Sequence, residues 1–193
     1  MKLAFGMIVF EGDYVLQECL EQVYPYASQI LIAEGPVTFW QNQGRTTSLD
    51  DTNKILDEFP DPENKSEKDE QCRAYMDHIN DDIDYIWNLD SDELFKSEDI
   101  EKVIDFLKRD NPTSVGVRSC SFYGGFDHYL TGFELNRDNF LRVFKYEAGA
   151  HEFKPESRGD CFTDKFSLEH PLSIQKNMAS LKEKLNEQLK NYV

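Results

Sequence analysis

Short apolar runs alternate with amphipathic segments through the first half of the chain. The runs lie in 3–10, 28–36 and 84–89. Mostly apolar runs of this length predict strands that are buried on both faces, as in a parallel sheet. Between and after the runs, apolar positions recur at the spacing of one helical face, in the segments 14–24, 48–59, 66–79 and 98–110. The first half therefore predicts the order β-α-β-α-(α)-β, followed by a further helix.

Polar residues mark the predicted helix starts. Asp13, Ser48, Ser66 and Ser97 each precede an amphipathic segment, and we expect each side chain to cap its helix. In the last of these helices the acids come first and Lys108-Arg109 come last, which matches the helix dipole.

After Pro112 the pattern becomes strand-like. The segments 114–125, 129–135 and 139–147 read as strands separated by short turns. The tail carries leucines every four residues and predicts either a final amphipathic helix or a connector to another domain. The whole chain is thus an α/β protein with an open mixed sheet and helices on its faces.

Length and charge narrow the range of functions. The chain has 193 residues, enough for one domain, and its formal net charge is −16. Such a field repels nucleic acid, so we expect no nucleic-acid partner. It also repels a phosphorylated substrate, so an enzyme acting on nucleotides would need a cation as mediator.

Other sequence features favour a soluble, cytoplasmic protein. The four cysteines are scattered and lack the short spacing of a zinc or redox site, so we expect reduced thiols. The start has no small-residue cleavage site, and no apolar run reaches the ~20 residues needed to span a bilayer.

Two aspartates, Asp90 and Asp92, directly follow the third predicted strand. Ligands of such folds bind beyond the carboxyl ends of parallel strands, where Glu11 and Glu34 also follow strands. Carboxylates at i and i+2 of an extended segment point to the same side and suit a hard divalent ion, which would neutralise a leaving diphosphate.

The aspartate pair has other interpretations. It could be a solvated turn in an acidic chain. A calcium loop of the EF-hand type is excluded by Leu94 and Phe95, which stand at its fifth and sixth positions. A phosphatase that uses a strand-end D-x-D nucleophile is a competitor, although that motif normally ends the first strand and is followed by Thr or Val.

The stretches FGMIVFEGDYVLQECLEQVYPYASQILIAEGP, SEKDEQCRAYM, YIWNLDSDELF and TSVGVRSCSFYGGFDHYLTGFE resemble family 2-type glycosyltransferases of the GT-A fold. The resemblance extends over roughly residues 1–150 and includes the N-terminal glycosyltransferase domain of a large chlorella-virus protein. It implies a single GT-A-like domain, with a parallel nucleotide-sugar-binding half at 1–110 and a strand-rich acceptor-side half at 111–170. It also implies a C-terminal helix at 171–193, which could be a connector to a further domain. Two departures are a missing strand near 64–68 and a shortened segment at 151–160.

The resemblance also implies roles for particular residues. Manganese or magnesium would be held by Asp90, Asp92 and His151. The acceptor would lie against Phe122, Tyr123, Gly124 and Gly125, and the catalytic carboxylate would be Asp127, with Glu134 and Glu152 behind it. The nucleotide-sugar would be bound by Phe10, Glu11, Gly35, Lys68, Asp69, Arg73, Asp90 and Ser91.

The resulting hypothesis is a metal-dependent glycosyltransferase. It would move a hexosyl or deoxyhexosyl group from a nucleotide-sugar, most simply a UDP-sugar, to a glycan or protein-linked acceptor. The alternatives are the phosphatase above and a non-catalytic module that binds a nucleotide or metal.

Overall fold

The computed structural model describes residues 1–36, 38–58, 75–123, 139–149 and 158–169. The strands are β1 (Leu3–Val9), β2 (Gln29–Glu34), β3 (Tyr85–Asp90), β4 (Glu93–Leu94), β5 (Ser114–Tyr123), β6 (Asn139–Lys145) and β7 (Arg158–Glu169). The helices are α1 (Leu16–Val23), α2 (Thr38–Gln41), α3 (Thr52–Glu58) and α4 (Ser97–Asp110), and a 3₁₀ turn (Tyr24–Tyr26) follows α1. None of the helices in these ranges is long and apolar enough to cross a membrane.

One mixed sheet runs through the molecule in the order β2-β1-β3-β6-β5-β7-β4. β1 pairs in parallel with β2 on one side and β3 on the other, and β6 is antiparallel to both β3 and β5. β7 runs parallel to β5, and the short β4 lies antiparallel against β7. The predicted fold class, a parallel N-terminal half joined to a strand-rich half, is confirmed.

The second half differs in detail from the prediction. The strand β7 and the two-residue β4 were not predicted, because most of β7 is polar or charged and apolar residues alternate with polar ones only at its end, in 166–169. The predicted strand at 129–135 and the tail at 171–193 lie outside the described residues.

The two central strands bury both faces. In β1, Leu3, Phe5, Met7 and Val9 face one core while Ala4 faces the other. In β3, Tyr85, Trp87 and Leu89 join the first core and Ile86 joins the second. The first core is completed by apolar side chains of α1, α3 and α4, and the second by Tyr75, Met76, Ile79 and Ile83. Trp87 is therefore a core residue.

A glycine allows the second layer to lie close to the sheet. A Cβ on Gly6 would come within 2.7 Å of the Tyr75 ring. The Tyr75 hydroxyl lies 3.1 Å from Oδ1 of Asn88 on β3. A larger residue at position 6 would displace this ring from the sheet.

The predicted helix caps are wrong wherever they can be compared. α1 begins after Val15 and α4 after Lys96, in both cases without a side-chain cap, so Ser97 is the first residue inside its helix. The Ser48 hydroxyl accepts a hydrogen bond from the Glu11 N–H instead of capping α3. Asp50 takes that place, since its Oδ1 accepts a hydrogen bond from the Thr52 N–H at 3.1 Å. The fourth predicted cap, on the helix from residue 66, lies outside the described residues.

Candidate active site

The first three strands end level with one another at one edge of the sheet. In the register of the sheet, Ile8 of β1 lies opposite Ala33 of β2 and opposite Asp90 of β3. Glu34 ends β2, and Glu11 follows β1 by two residues. The predicted meeting of acidic loops at this edge is therefore confirmed, while the roles of their side chains stay predictions.

The loop after β1 forms hydrogen bonds and an ion pair with residues 45–52, which we call the covering segment. Glu11 has a positive φ of 53°, which is uncommon for a residue other than glycine. Its carboxylate forms an ion pair with Arg45. The Arg45 guanidinium carbon also lies 5.2 Å from the ring centre of Phe10 and 6.0 Å from that of Trp40. A cation held over two aromatic faces thus borders the acidic edge.

Hydrogen bonds tie the covering segment to two strand ends. Ser48 and Thr52 accept bonds from the backbone N–H groups of Glu11 and Gly12, each at 2.9 Å. The Ser48 N–H donates to the buried carboxylate of Glu34 at 2.7 Å. Glu34 is therefore engaged in holding this segment, and it is only 6% exposed.

The turn between β3 and β4 contacts the loop after β1. A Cβ on Gly12 would lie 2.8 Å from Cγ2 of Val9 and 3.2 Å from the Ser91 hydroxyl. Only a glycine fits there without a shift of its neighbours. The D-x-D turn and the β1 loop therefore form one continuous surface.

Asp92 belongs to an acidic group around one phenol. Burial raises the pKa of Tyr14 well above its usual value of 10, and the charges of Asp92, Asp13 and Asp50 raise it further. The Tyr14 hydroxyl, which is protonated at neutral pH like any phenol, therefore keeps its proton further into alkali, and it can serve as a hydrogen-bond donor among these carboxylates. Asp92 is half-buried and faces this group from the D-x-D turn.

Asp90 has a different neighbour. The Nη2 atom of Arg142, on β6, lies 2.8 Å from Oδ2 of Asp90 and also forms an ion pair with Glu93. The Glu93 side chain is 2% exposed, compared with 34% for Asp90. Arg142 therefore compensates the negative charges of Asp90 and Glu93, the two residues that flank the turn between β3 and β4.

The oxygen ligands at this turn fit a hard divalent cation. Among the described residues, no three His, Cys, Asp or Glu side chains are grouped so that they alone could hold a metal ion. Mg²⁺ and related ions are usually held by one or two carboxylates, with water and substrate phosphates completing the sphere. The turn fits a cation held through Asp92, with Asp90 beside it and partly neutralised.

Several predicted site residues cannot be compared with the structure. Phe122 and Tyr123 are described only as backbone in β5, where they lie opposite Leu168 and Glu169 of β7. Gly35 follows β2, and its N–H donates to the Val9 carbonyl at 3.1 Å. The predicted site residues that lie outside the described ranges are Lys68, Asp69, Arg73, Gly124, Gly125, Asp127, Glu134, His151 and Glu152.

Four residues of this edge were not predicted from the sequence. Arg45, Tyr14, Thr52 and Arg142 each contact a predicted acidic loop. A signal existed for Arg142, since a cation inside the aromatic and apolar strand NFLRVFK needs a partner. No comparable local signal marks Arg45 or Thr52, which lie in a polar loop.

Comparison with known proteins identifies the family. The model for "Glycosyl transferase family 2" matches residues 47–166, which is more than half of the chain and includes the D-x-D turn. Among proteins with curated functions, none matches the sequence significantly.

Solved structures share the fold at low sequence identity. S. aureus TarS 1-349 in complex with UDP-GlcNAc has a TM-score of 0.61 at 8% identity, over 93% of this chain and 61% of that one. Glucosyl-3-phosphoglycerate synthase from Mycobacterium tuberculosis, with Mn²⁺, UDP-Glc and phosphoglyceric acid, has a TM-score of 0.55 at 10% identity, over 98% and 80%. The 4-diphosphocytidyl-2C-methyl-D-erythritol synthase from Anaerococcus prevotii has a TM-score of 0.52 at 8% identity, over 96% of each chain.

These likenesses support the fold, and the family match supports the enzyme class. The chain spans about 61% of the TarS 1-349 structure, so it is shorter than that relative by more than a third. The predicted class, a glycosyltransferase domain with a GT-A-like sheet, is confirmed. The match of the family model over more than half of the chain shows that this chain belongs to glycosyl transferase family 2.

Proposed function

We propose that this protein is a metal-dependent glycosyltransferase that uses a nucleotide-sugar, most simply a UDP-sugar. It would transfer a hexosyl or deoxyhexosyl group to a glycan or protein-linked acceptor. The observation that carries the proposal is the D-x-D turn, which ends a central parallel strand, packs against the β1 loop and falls inside the family match. Two structures of similar fold contain UDP-sugars, and one of these also contains Mn²⁺.

The cation follows from the charge of the site. Glu11, Glu34, Asp90 and Asp92 meet at the edge of a protein whose net charge is −16, so a bare diphosphate would be repelled. Asp92 would hold Mn²⁺ or Mg²⁺, and the bound cation would neutralise the leaving diphosphate. His151 stays a predicted third ligand.

The donor side would be shaped by this chain's own residues around the β1 loop. Phe10 and Glu11 border the loop, and Arg45 brings a positive charge to it. The covering segment would fix the loop on the donor side through its hydrogen bonds to the N–H groups of Glu11 and Gly12. The predicted donor contacts Gly35, Ser91, Lys68, Asp69 and Arg73 complete this side of the proposal.

The acceptor side rests on the family resemblance and on reaction chemistry. An inverting enzyme needs a carboxylate to take the proton from the acceptor hydroxyl. Asp127 is proposed for that role, with Glu134 and Glu152 as the next candidates. In a retaining enzyme Asp127 would be an acceptor ligand. The acceptor would lie against Phe122, Tyr123, Gly124 and Gly125.

A calorimetric titration tests the proposal. UDP is titrated into the protein with Mn²⁺ and again with EDTA, and thermal shifts with UDP-, GDP- and dTDP-sugars then rank the donors. We expect binding of UDP that depends on Mn²⁺ and a preference for UDP-sugars. Equal UDP affinity in Mn²⁺ and in EDTA would overturn the role of the metal.

The alternatives predict other results. A phosphatase would hydrolyse phosphomonoesters without affinity for UDP, but its D-x-D would normally end the first strand rather than β3. A non-catalytic module would bind Mn²⁺ and UDP without turning over any donor. The chlorella-virus resemblance, a cytoplasmic location and further domains in a longer parent chain stay predictions.

A further inference from the structure

Arg142 occupies the sheet face from which Asp90 emerges. Val143 of β6 lies opposite Trp87 of β3, and both side chains enter the first core. Because side chains alternate along a strand, Arg142 and Asp90 both lie on the other face. The neighbouring strand thus brings a guanidinium to the point where β3 ends.

The guanidinium joins the two ends of the D-x-D turn. Asp90 is the last residue of β3 and Glu93 the first of β4, so the turn between them consists of Ser91 and Asp92. Arg142 forms an ion pair with each end, through the same Nη2 atom.

Arg142 is itself fixed in place. Its guanidinium carbon lies 5.5 Å from the ring centre of Phe140, and its side chain is 18% exposed. A guanidinium stays charged at any physiological pH, so this cation is permanent. It is therefore suited to hold a turn rather than to respond to pH.

The turn needs such a cation because it concentrates like charges. Asp90, Asp92 and Glu93 place three carboxylates within four residues, and their mutual repulsion opposes a compact turn. Arg142 compensates the first and the third of them. Asp92, in the middle, faces the group around Tyr14.

We propose that Arg142 is a positioning residue for the donor site. It clamps the turn through Asp90 and Glu93, so that Asp92 between them is held at a fixed place for the cation of the donor complex. This inference rests on the proposed function. The competing interpretation is that Arg142 serves only to neutralise the buried Glu93.

Two variants separate these interpretations. Arg142→Met alone leaves the carboxylate of Glu93 buried without its ion pair, so we expect lower thermal stability. The double variant R142M/E93Q also removes that carboxylate, so its melting temperature should return toward the wild-type value. Lys145→Met is the matched control, because Lys145 is exposed and lies on the same strand.

The decisive measurement is UDP affinity in Mn²⁺ on the double variant, by calorimetry. Loss of a residue that orients a metal ligand typically weakens metal binding by about 10- to 100-fold, and we expect a loss of this size that persists in R142M/E93Q. Wild-type affinity in the stable double variant would overturn the positioning role. Lys145→Met should bind UDP as the wild type does.

Amide hydrogen exchange of the segment 90–93 provides a readout that does not depend on the proposed function. We expect faster exchange in R142M/E93Q than in the wild type, because the clamp is lost while the fold remains. Unchanged exchange would overturn the clamp. If wild-type protein binds no UDP in Mn²⁺ but the exchange still accelerates, the proposed function fails while the clamp of the turn stands.

Discussion

Asp90 and Asp92 are two residues apart, yet the structure gives them different surroundings. Asp90 is ion-paired with Arg142, and Asp92 faces Tyr14 and two further acids. The two carboxylates of the D-x-D thus have different neighbours in the fold. At the residue scale, Asp92 is the side chain that we propose for the cation.

Asp92→Asn is expected to impair turnover far more than stability. Removal of one charge from an acidic group leaves the metal-free fold as stable as before or more stable by about 0.5–1 kcal/mol. Sugar transfer in Mn²⁺ and urea denaturation measure the two effects. Asp81→Asn, at an exposed position, is the control. A variant that unfolds, or one that transfers sugar at the wild-type rate, contradicts the assignment.

Tyr14 predicts how stability changes in alkali. Its pKa is raised in the folded protein by burial and by neighbouring acids, so the folded state keeps the phenol proton after the unfolded chain has lost it. The contribution of this pKa shift to the free energy of unfolding is complete below about pH 10 and is lost as the pH rises beyond that value.

Urea denaturation at about pH 9 and about pH 11 tests this expectation. Tyr14→Phe should lose less stability between these pH values than the wild type does. The loss of stability that remains in the variant would include the contribution of Tyr85, whose pKa is also raised by burial. Tyr24→Phe, at an exposed tyrosine, should behave as the wild type. An equal loss of stability between the two pH values in Tyr14→Phe and in the wild type would contradict the raised pKa of Tyr14.

At the scale of elements, the covering segment is the connection that organises the edge. It follows the short helix α2 and leads into α3, and on the way its side chains satisfy the backbone of the β1 loop. A loop rich in Thr and Ser does this because hydroxyl groups accept hydrogen bonds from backbone N–H groups that no strand partner reaches.

Thr52→Val should destabilise the protein by about 1–3 kcal/mol, since the Gly12 N–H would be left without its hydroxyl acceptor. Thr52 is fully buried, so the variant keeps its shape but loses the hydrogen bond. Urea denaturation measures the change. Thr46→Val, at an exposed threonine, is the matched control. An unchanged free energy of unfolding would show that the bond contributes nothing net.

At the scale of the whole molecule, charge governs how ligands approach. The net charge of −16 attracts cations over a distance that salt shortens, with a Debye length of about 10 Å at 0.1 M. Under the proposed function, the same field would repel a nucleotide until a cation had bound. Order of binding and salt dependence are therefore properties of the entire surface rather than of the D-x-D turn.

Manganese affinity is accordingly expected to fall as salt rises. Calorimetry of Mn²⁺ binding in the presence of UDP, at low and at physiological ionic strength, measures the effect. Replacing NaCl with an equal ionic strength of another monovalent salt is the control, because screening depends on ionic strength alone. An affinity that does not change with salt would contradict a contribution from the net charge of the protein and would leave only contacts at the binding site as its cause.

Much of the parallel half could be predicted from the sequence. β1 and β3 were found because their apolar runs are local signals of strands buried on both faces, and the site edge followed because carboxyl ends of parallel strands meet. The caps failed because Ser48 and Asp13 bond to distant backbone groups: Ser48 to the Glu11 N–H, and Asp13 to the Asp51 N–H. Local propensity does not report such partners.

The sequence by itself determined the apolar periodicity, the acidic charge and the D-x-D that follows a strand, because these depend only on the order of residues. Tertiary structure decided which cation meets which carboxylate. Arg142 lies 52 positions from Asp90, and Arg45 lies 34 positions from Glu11. Only the packing of β6 beside β3, and of the covering segment over the β1 loop, brings these charges to ion-pair distance, where the Coulomb energy becomes large enough to fix a site.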